Sequence, residues 1–155
     1  MSAPTGLAQA IGDASSGAGR LYVPGLVYGD ASRPGVNVFE EALPQSPDVA
    51  VAIKSFGGQP PDARLPYDQL VLQLLIRGDQ DPATARDLWY LLFSTLQGAI
   101  QETLPDGTFL ILATVLQGGP INIGPDANGR HRVSMNLALE VVSPTDRRPP
   151  PDEIS

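Results

Sequence analysis

Only a few residues in this sequence have side chains suited to catalysis or metal binding. The chain of 155 residues contains no cysteine and a single histidine, His131, which stands between Arg130 and Arg132. Without cysteine there is no thiolate nucleophile, and a metal site would depend on oxygen ligands. A histidine base also needs an orienting carboxylate and a nucleophile nearby, and the sequence indicates neither. We therefore expect His131 to be a surface or interface residue.

The acidic residues offer two further candidates for chemistry, and structural roles explain both. Asp79-Gln80-Asp81 has the composition of a Mg²⁺ site, but Asp81 directly precedes a predicted helix, where an aspartate caps free backbone N–H groups. Glu40 and Glu41 are neighbours in a predicted strand, which puts their carboxylates on opposite faces. The Gly-rich segments lack the spacing of a phosphate-binding loop. We therefore predict no catalytic residue, no metal site and no cofactor, and hence a protein that is not an enzyme.

The composition indicates one folded domain and argues against two classes of partner. The net charge of −7 opposes non-specific binding to DNA, because neutralising phosphates requires clustered Lys and Arg. No apolar run approaches the roughly 18–20 residues that a membrane span needs, so we expect no membrane partner. A hydrophobic content of 42% is sufficient for a buried core.

Helical patterns occur at two places in the sequence. The stronger predicts a helix over 82–98, where Asp81 is a good N-cap, Pro82 suits the first turn, and apolar residues recur every three or four positions. That stripe consists of Ala85, Leu88, Leu92, Leu96 and Ala99, widened by Trp89, Phe93 and Ile100. The weaker pattern predicts an N-terminal helix over about 3–18, which several glycines interrupt.

Strand patterns account for most of the remaining sequence. Residues 70–77 are apolar on both faces, which predicts a central strand covered on one side by a helix. The last strand, over 132–141, alternates most regularly and predicts an antiparallel strand with one solvated face. Further predicted strands are 36–41, 48–56 and 108–117; turns or loops are predicted at 21–35, 57–62 and 122–130.

The C-terminal segment differs in composition from the rest of the chain. Residues 144–155 are rich in proline and nearly devoid of large apolar side chains. Such a segment cannot pack a core, and we expect a flexible arm that becomes ordered only against a partner. The domain itself is therefore predicted to span 1–143.

Three stretches together match the pattern of a known family. The first is Pro-Asp-Val-Ala-Val-Ala-Ile-Lys-Ser-Phe-Gly-Gly at 47–58. The second is Leu-Pro-Tyr-Asp at 65–68, which leads to the strand 71–78 and the helical segment 85–92. The third is Gly-Pro-Ile-Asn-Ile-Gly-Pro-Asp-Ala-Asn-Gly-Arg at 119–130, which precedes a strand that contains Asn136. In order and spacing they resemble the tail terminator, or minor capsid, proteins of long-tailed phages. The resemblance spans about 36–142.

The resemblance implies an α+β fold, a two-layer α/β sandwich in which helices pack on a mostly antiparallel sheet. It also implies a structural virion protein at the head-proximal end of the tail, assembled in the host cytoplasm. Such a protein forms a hexameric ring that caps the tail tube, stops its polymerisation and joins it to the head–tail connector or stopper protein. DNA would pass through the ring without sequence-specific binding.

A head-to-tail ring needs two different contact patches on each subunit. We expect these in the polar loops 57–67 and 122–130, with Arg77, Arg86 and Arg130 exposed as ion-pair partners. The complete predicted interface set is Arg77, Arg86, Asn122, Asp126, Asn128, Arg130 and Arg132. An acidic subunit would line a DNA passage that repels the duplex.

Another head–tail connector protein, of the stopper or completion type, is the alternative function within the class of phage assembly proteins. A small hydrolase or a ligand-binding module is the alternative outside that class.

Overall fold

The computed structural model describes residues 3–13, 19–29 and 35–150 of the chain, and these residues form two helices and one sheet of eight strands. The helices are α1 (Ala3–Gly12) and α2 (Pro82–Leu96), and a short 3₁₀ turn covers Gly19–Leu21. The strands are β1 (Leu26–Tyr28), β2 (Val36–Glu40), β3 (Ala50–Gly58), β4 (Tyr67–Arg77), β5 (Ile100–Thr103), β6 (Phe109–Val115), β7 (Ile121–Pro125) and β8 (His131–Val142).

The strands follow the order β1-β2-β3-β4-β8-β6-β5, and β7 pairs with the first part of β8 beside β6. The pairs β1–β2 and β2–β3 are parallel, whereas all other pairs are antiparallel. The predicted α+β class with a mostly antiparallel sheet is therefore confirmed. The predicted two-layer sandwich is only partly correct, because the sheet is curled and contains most of the secondary structure, with only two helices among the described residues.

The two central strands, β4 and β8, pair along their length from Tyr67 opposite Val142 to Arg77 opposite Arg132. Their core-facing side chains are all buried: Leu72, Leu74 and Ile76 on β4, and Val133, Met135, Leu137, Leu139 and Val141 on β8. The central position of β4 and the inward set of β8 match the sequence predictions. The other face of β8 is less solvated than predicted, because Ser134 and Ala138 are buried as well.

The helix α2 begins where its local signals predict. The carboxylate of Asp81 accepts a hydrogen bond from the Ala83 amide at 3.0 Å, and Pro82 occupies the first turn. Trp89 is fully buried, and its indole N–H donates to the Ser134 carbonyl at 3.0 Å, which attaches the helix to β8. The helix ends at Leu96, before Gly98 with its positive φ of 78°. Ile100, assigned by pattern to the helical stripe, therefore lies on β5 and is 49% exposed.

The helix α1 is seen over Ala3–Gly12; Asp13 is not helical, and 14–18 lie outside the described residues. Leu7 and Ile11 are fully buried and share one apolar cluster with α2 and the sheet. Gly12 lies against β1 so closely that a Cβ atom there would stand 2.6 Å from the Tyr28 nitrogen. Glycine at this position therefore permits close helix–strand packing.

Three short strands were missed from the sequence, and one strand is longer than expected. The strand β1 lies in the predicted turn region 21–35, β5 follows α2, and β7 occupies the first half of the predicted loop 122–130. The strand β3 continues through Gly58, although residues 57–62 were predicted to be loop. A bulge with Gly57 at φ 83° allows this continuation.

The beginning of the C-terminal segment folds back on the sheet. Thr145 and Arg148 form an isolated β-bridge, and the guanidinium of Arg148 makes two hydrogen bonds with the Asp68 carboxylate, at 2.6 and 2.9 Å. The two side chains are mostly buried in this contact. Residues 144–150 thus contact their own domain, and flexibility of the arm in solution stays a prediction.

Replacing Asp81 with alanine tests the assigned start of α2. Asp81→Ala removes the N-cap acceptor and should lower the free energy of unfolding by about 1 kcal/mol. Asp87→Ala is the matched control, because Asp87 is an exposed aspartate on the same helix and should change stability by less than about 0.5 kcal/mol. Urea unfolding followed by the emission of Trp89 measures both. Equal stability losses would contradict the capping role.

Candidate functional site

Three loops meet at the end of the sheet where β3 begins, β4 ends and β8 begins. They consist of residues 45–48, 79–81 and 126–130, and we call them together the polar rim. Backbone hydrogen bonds connect two of them to the central strands: Gly78 donates to the His131 carbonyl at 2.8 Å, and His131 donates to the Asp79 carbonyl at 3.0 Å. The ends of the central strands therefore fix the position of the rim.

Arg130 connects the loops of the rim from inside the subunit. It is 5% exposed, and its Nε donates to the Asp126 carboxylate at 2.8 Å. Its Nη1 donates to the Gln45 carbonyl at 2.6 Å and lies 3.3 Å from the Asp48 carboxylate. The other oxygen of Asp126 accepts from the amides of Asn128 and Arg130 at 2.9 and 3.0 Å, which closes the turn between β7 and β8.

Arg77 performs a similar function from the end of β4. It is 4% exposed, its Nε donates to the Asp48 carbonyl at 2.7 Å, and its Nη2 donates to the Pro47 carbonyl at 2.6 Å. Burial lowers the pKa of Arg77, and repulsion from Arg130 lowers it further. Together the two guanidinium groups satisfy three carbonyls of the loop 45–48, which would otherwise lack partners at this end of the strand.

The outer surface of the rim is acidic. Asp48, Asp79 and Asp81 line a depression of about 680 Å³ together with Gln80, Asn128 and Arg130. Hydrogen bonds from the Thr84 side chain and the Asp81 amide lower the pKa of Asp79. Burial raises the pKa of Asp126, but the hydrogen bonds from Arg130 and Asn128 outweigh this effect, so that its pKa is lowered overall. These two carboxylates are therefore negatively charged at neutral pH.

A second group of predicted residues lies beside β7. Arg86, Asn122 and His131 line a cleft of about 290 Å³ between α2 and the β7–β8 hairpin, with Pro82, Pro120 and Val133 as apolar walls. We call it the basic cleft. The side chain of Arg86 is 57% exposed and has one ion pair, with the exposed Asp87 at 3.6 Å, which is too weak to hold it in place.

The structure thus places the seven predicted interface residues in three locations. Asp126, Asn128 and Arg130 belong to the polar rim, and Arg77 holds the rim from the end of β4. Arg86 and Asn122 line the basic cleft, and Arg132 donates to the Gly124 carbonyl at 3.2 Å within the adjoining hairpin. The prediction that Arg77 and Arg130 are exposed ion-pair partners is wrong, because both are buried inside the subunit. Arg86 is exposed as predicted, and the contact of any of the seven with another subunit stays a prediction.

The sequence did not indicate the hydrogen-bond acceptors of the two buried arginines, Arg77 and Arg130. These are the carbonyls of Gln45, Pro47 and Asp48, which are backbone groups and leave no trace in residue type. The Asp-Ala-Asn-Gly turn at 126–129 was a visible signal for an aspartate that accepts from its own turn amides. It did not reveal that Asp126 would also hold Arg130.

The polar rim has the geometry of a structural clasp. Its carboxylates accept from backbone amides and guanidinium groups, and the described part of the chain contains no cluster of three or more metal-ligating side chains. Asp81, one of the two aspartates considered as Mg²⁺ ligands, caps α2. The exposed acidic surface is suited to contact with a positively charged protein surface.

The geometry changes the outcome expected from charge reversal at Arg130. As an exposed interface residue, it would tolerate Arg130→Glu without loss of folding. In the structure that substitution buries a carboxylate beside Asp126 and Asp48, and we expect a loss of about 3–5 kcal/mol in the free energy of unfolding. Arg86→Glu at the exposed cleft is the control and should cost less than about 0.5 kcal/mol. Identical urea midpoints for Arg130→Glu and the parent chain would show that Arg130 is not a structural residue.

Comparison with known proteins identifies the family. No helix among the described residues is long and apolar enough to cross a bilayer. Among curated proteins, none matches the sequence. A family model described as bacteriophage tail terminator protein matches residues 9–143, from within α1 to the residue after β8, and the chain therefore belongs to the bacteriophage tail terminator family.

Proposed function

We propose that the chain forms a hexameric ring at the head-proximal end of the tail tube. The ring caps the tube, stops its polymerisation and joins it to the head connector. The observation that supports this function most strongly is the family match, which includes the rim, the basic cleft and all eight strands.

The family confirms the resemblance found in the sequence and establishes the coarser part of this function. A bacteriophage tail terminator is a structural component of the phage tail, and the chain is accordingly a virion protein. Assembly in the host cytoplasm, before attachment to the head, belongs to the proposal.

The distribution of polar groups supports assembly rather than catalysis. The side chains that suggested chemistry have structural partners: Asp81 caps α2, and Asp126 is held by Arg130. His131 lies in the basic cleft beside Arg86 and Asn122, both polar groups that can contact a protein partner. We therefore infer a non-enzymatic role.

The charge of the chain is consistent with a passage for DNA that does not hold the duplex. Each subunit has a net charge of −7, so a ring of several copies repels phosphate groups over its surface as a whole. We propose that DNA crosses the ring without sequence-specific contacts. Weak contact with DNA is an advantage for a conduit, because the genome has to move through it.

Native mass spectrometry of the purified chain, with and without tail-tube protein of the same phage, tests the ring. We expect either a hexamer in isolation or a monomer that becomes a ring when tube ends are present. The matched control is the chain with Glu140→Ala, an exposed change on β8 outside the rim and the basic cleft, which should assemble as the parent chain does.

Two results would redirect the assignment. Binding to the connector without binding to the tube would favour another head–tail joining protein, of the stopper or completion type. A monomer that ignores both tube and connector would contradict a role in the neck of the virion and reopen the hydrolase and binding-module alternatives.

A further inference from the structure

Opposite edges of the sheet present opposite charges. On the β1–β2 side, β2 ends at Glu40 and the chain continues with Glu41, Ala42 and Leu43; we call these four residues the acidic corner. On the β7 side lies the basic cleft, in which Arg86 is the charged lining residue. Because the strand order places β2 and β7 on opposite sides of the central pair β4–β8, one subunit presents both surfaces at the same time.

Within the acidic corner, Glu41 is the charge available to a partner. Glu40 is occupied inside the subunit: its carboxylate accepts from the Thr5 hydroxyl at 2.8 Å and from the Tyr28 hydroxyl, and this second hydrogen bond raises the pKa of Tyr28 to about 12. Glu41 is exposed and has no side-chain partner within the described ranges.

The backbone at Glu41 is unusual. Its φ of 71° lies in the left-handed region, which side chains other than glycine, asparagine and aspartate seldom adopt. Hydrogen bonds hold it there: the Glu41 amide donates to the Ile53 carbonyl at 2.9 Å, and the Ala42 amide donates to the Glu40 carbonyl at 2.8 Å. The exposed carboxylate of Glu41 therefore stands on a backbone segment that is fixed by hydrogen bonds.

The acidic corner and the basic cleft lie at nearly the same height on the sheet. Glu41 is bonded to Ile53, which pairs with Leu74, and Leu74 pairs with Met135 on β8. Asn122 in the cleft pairs with Val133 on β8. Val133 is two residues from Met135, or about 7 Å along the strand.

We propose that the acidic corner of one subunit docks into the basic cleft of the next copy of this chain. Glu41 pairs with Arg86 of the neighbouring copy, and Ala42 and Leu43 contact the apolar walls formed by the two prolines of the cleft. The two patches differ, so the contact is head-to-tail, which is the type of interface that closes a ring. This inference rests on the proposed ring function and specifies its subunit interface.

Charge reversal on each side of the contact, followed by native mass spectrometry, tests the proposal. Glu41→Arg alone and Arg86→Glu alone each place like charges across every interface. We expect each to raise the subunit concentration needed for half-assembly by on the order of tenfold or more. Glu140→Arg on the exposed face of β8 reverses a charge outside both patches and outside the loops 57–67 and 122–130, and should assemble as the parent chain does.

The decisive samples combine the two reversals. The double variant Glu41→Arg/Arg86→Glu restores opposite charges at every interface and should assemble again. An equimolar mixture of the two single variants should form rings in which they alternate, with a mass between those of the two pure rings. Far-UV circular dichroism of each single variant verifies that the subunit is folded.

The possible outcomes separate this inference from the proposed function. Rings of the parent chain together with single variants that assemble normally would overturn the interface and leave the ring intact. Loss of assembly that neither the double variant nor the mixture reverses would also overturn it, because the two patches would then have other occupants. A parent chain that forms no ring, with or without tube ends, would refute the proposed function itself.

Discussion

Two buried guanidinium groups determine how one end of this fold is organised. Arg77 and Arg130 are nearly inaccessible to solvent, and a buried positive charge is tolerated only when its donors are hydrogen-bonded. They meet that requirement by donating to carbonyls of the loop 45–48 and, for Arg130, to the carboxylate of Asp126. These hydrogen bonds hold together the start of β3, the end of β4 and the start of β8. Because the two buried cations fix the loops, they also determine the shape of the acidic outer surface of the rim.

The same division between inside and outside extends to the edges of the sheet. Glu40 is used inside the subunit by Thr5 and Tyr28, whereas Glu41 next to it is exposed. Arg130 is used inside, whereas Arg86 is exposed at the basic cleft. Residues of the same type thus have separate tasks, and only the exposed ones are available for assembly. Assembly of folded subunits into a ring would depend on the exposed residues Glu41 and Arg86. The residues used inside the subunit, Glu40 and Arg130, maintain the local structure around them.

Local signals were sufficient for the elements that hold the site, but not for the site itself. The helix α2 could be predicted because its cap, its first proline and its apolar stripe are all local, and β8 because its alternation is regular. The strands β1, β5 and β7 have three to five residues each, and long-range pairing rather than their own pattern makes them strands. For the arginines, residue type was visible but side-chain direction was not, because the acceptors of Arg77 are main-chain carbonyls about thirty positions away. Residue type alone therefore predicts surface contacts for Arg77 and Arg130, although both hold loops inside the subunit.

The most direct test of the central claim, that the chain ends tube growth, is an elongation assay. Preformed tubes of the tail-tube protein are incubated with or without the chain, labelled tube protein is then added, and the labelled length at each end is measured by electron microscopy. We expect the chain to bind one end and abolish elongation there, while the opposite end is unchanged. Equal labelled growth with and without saturating chain, at both ends, would contradict a terminator function.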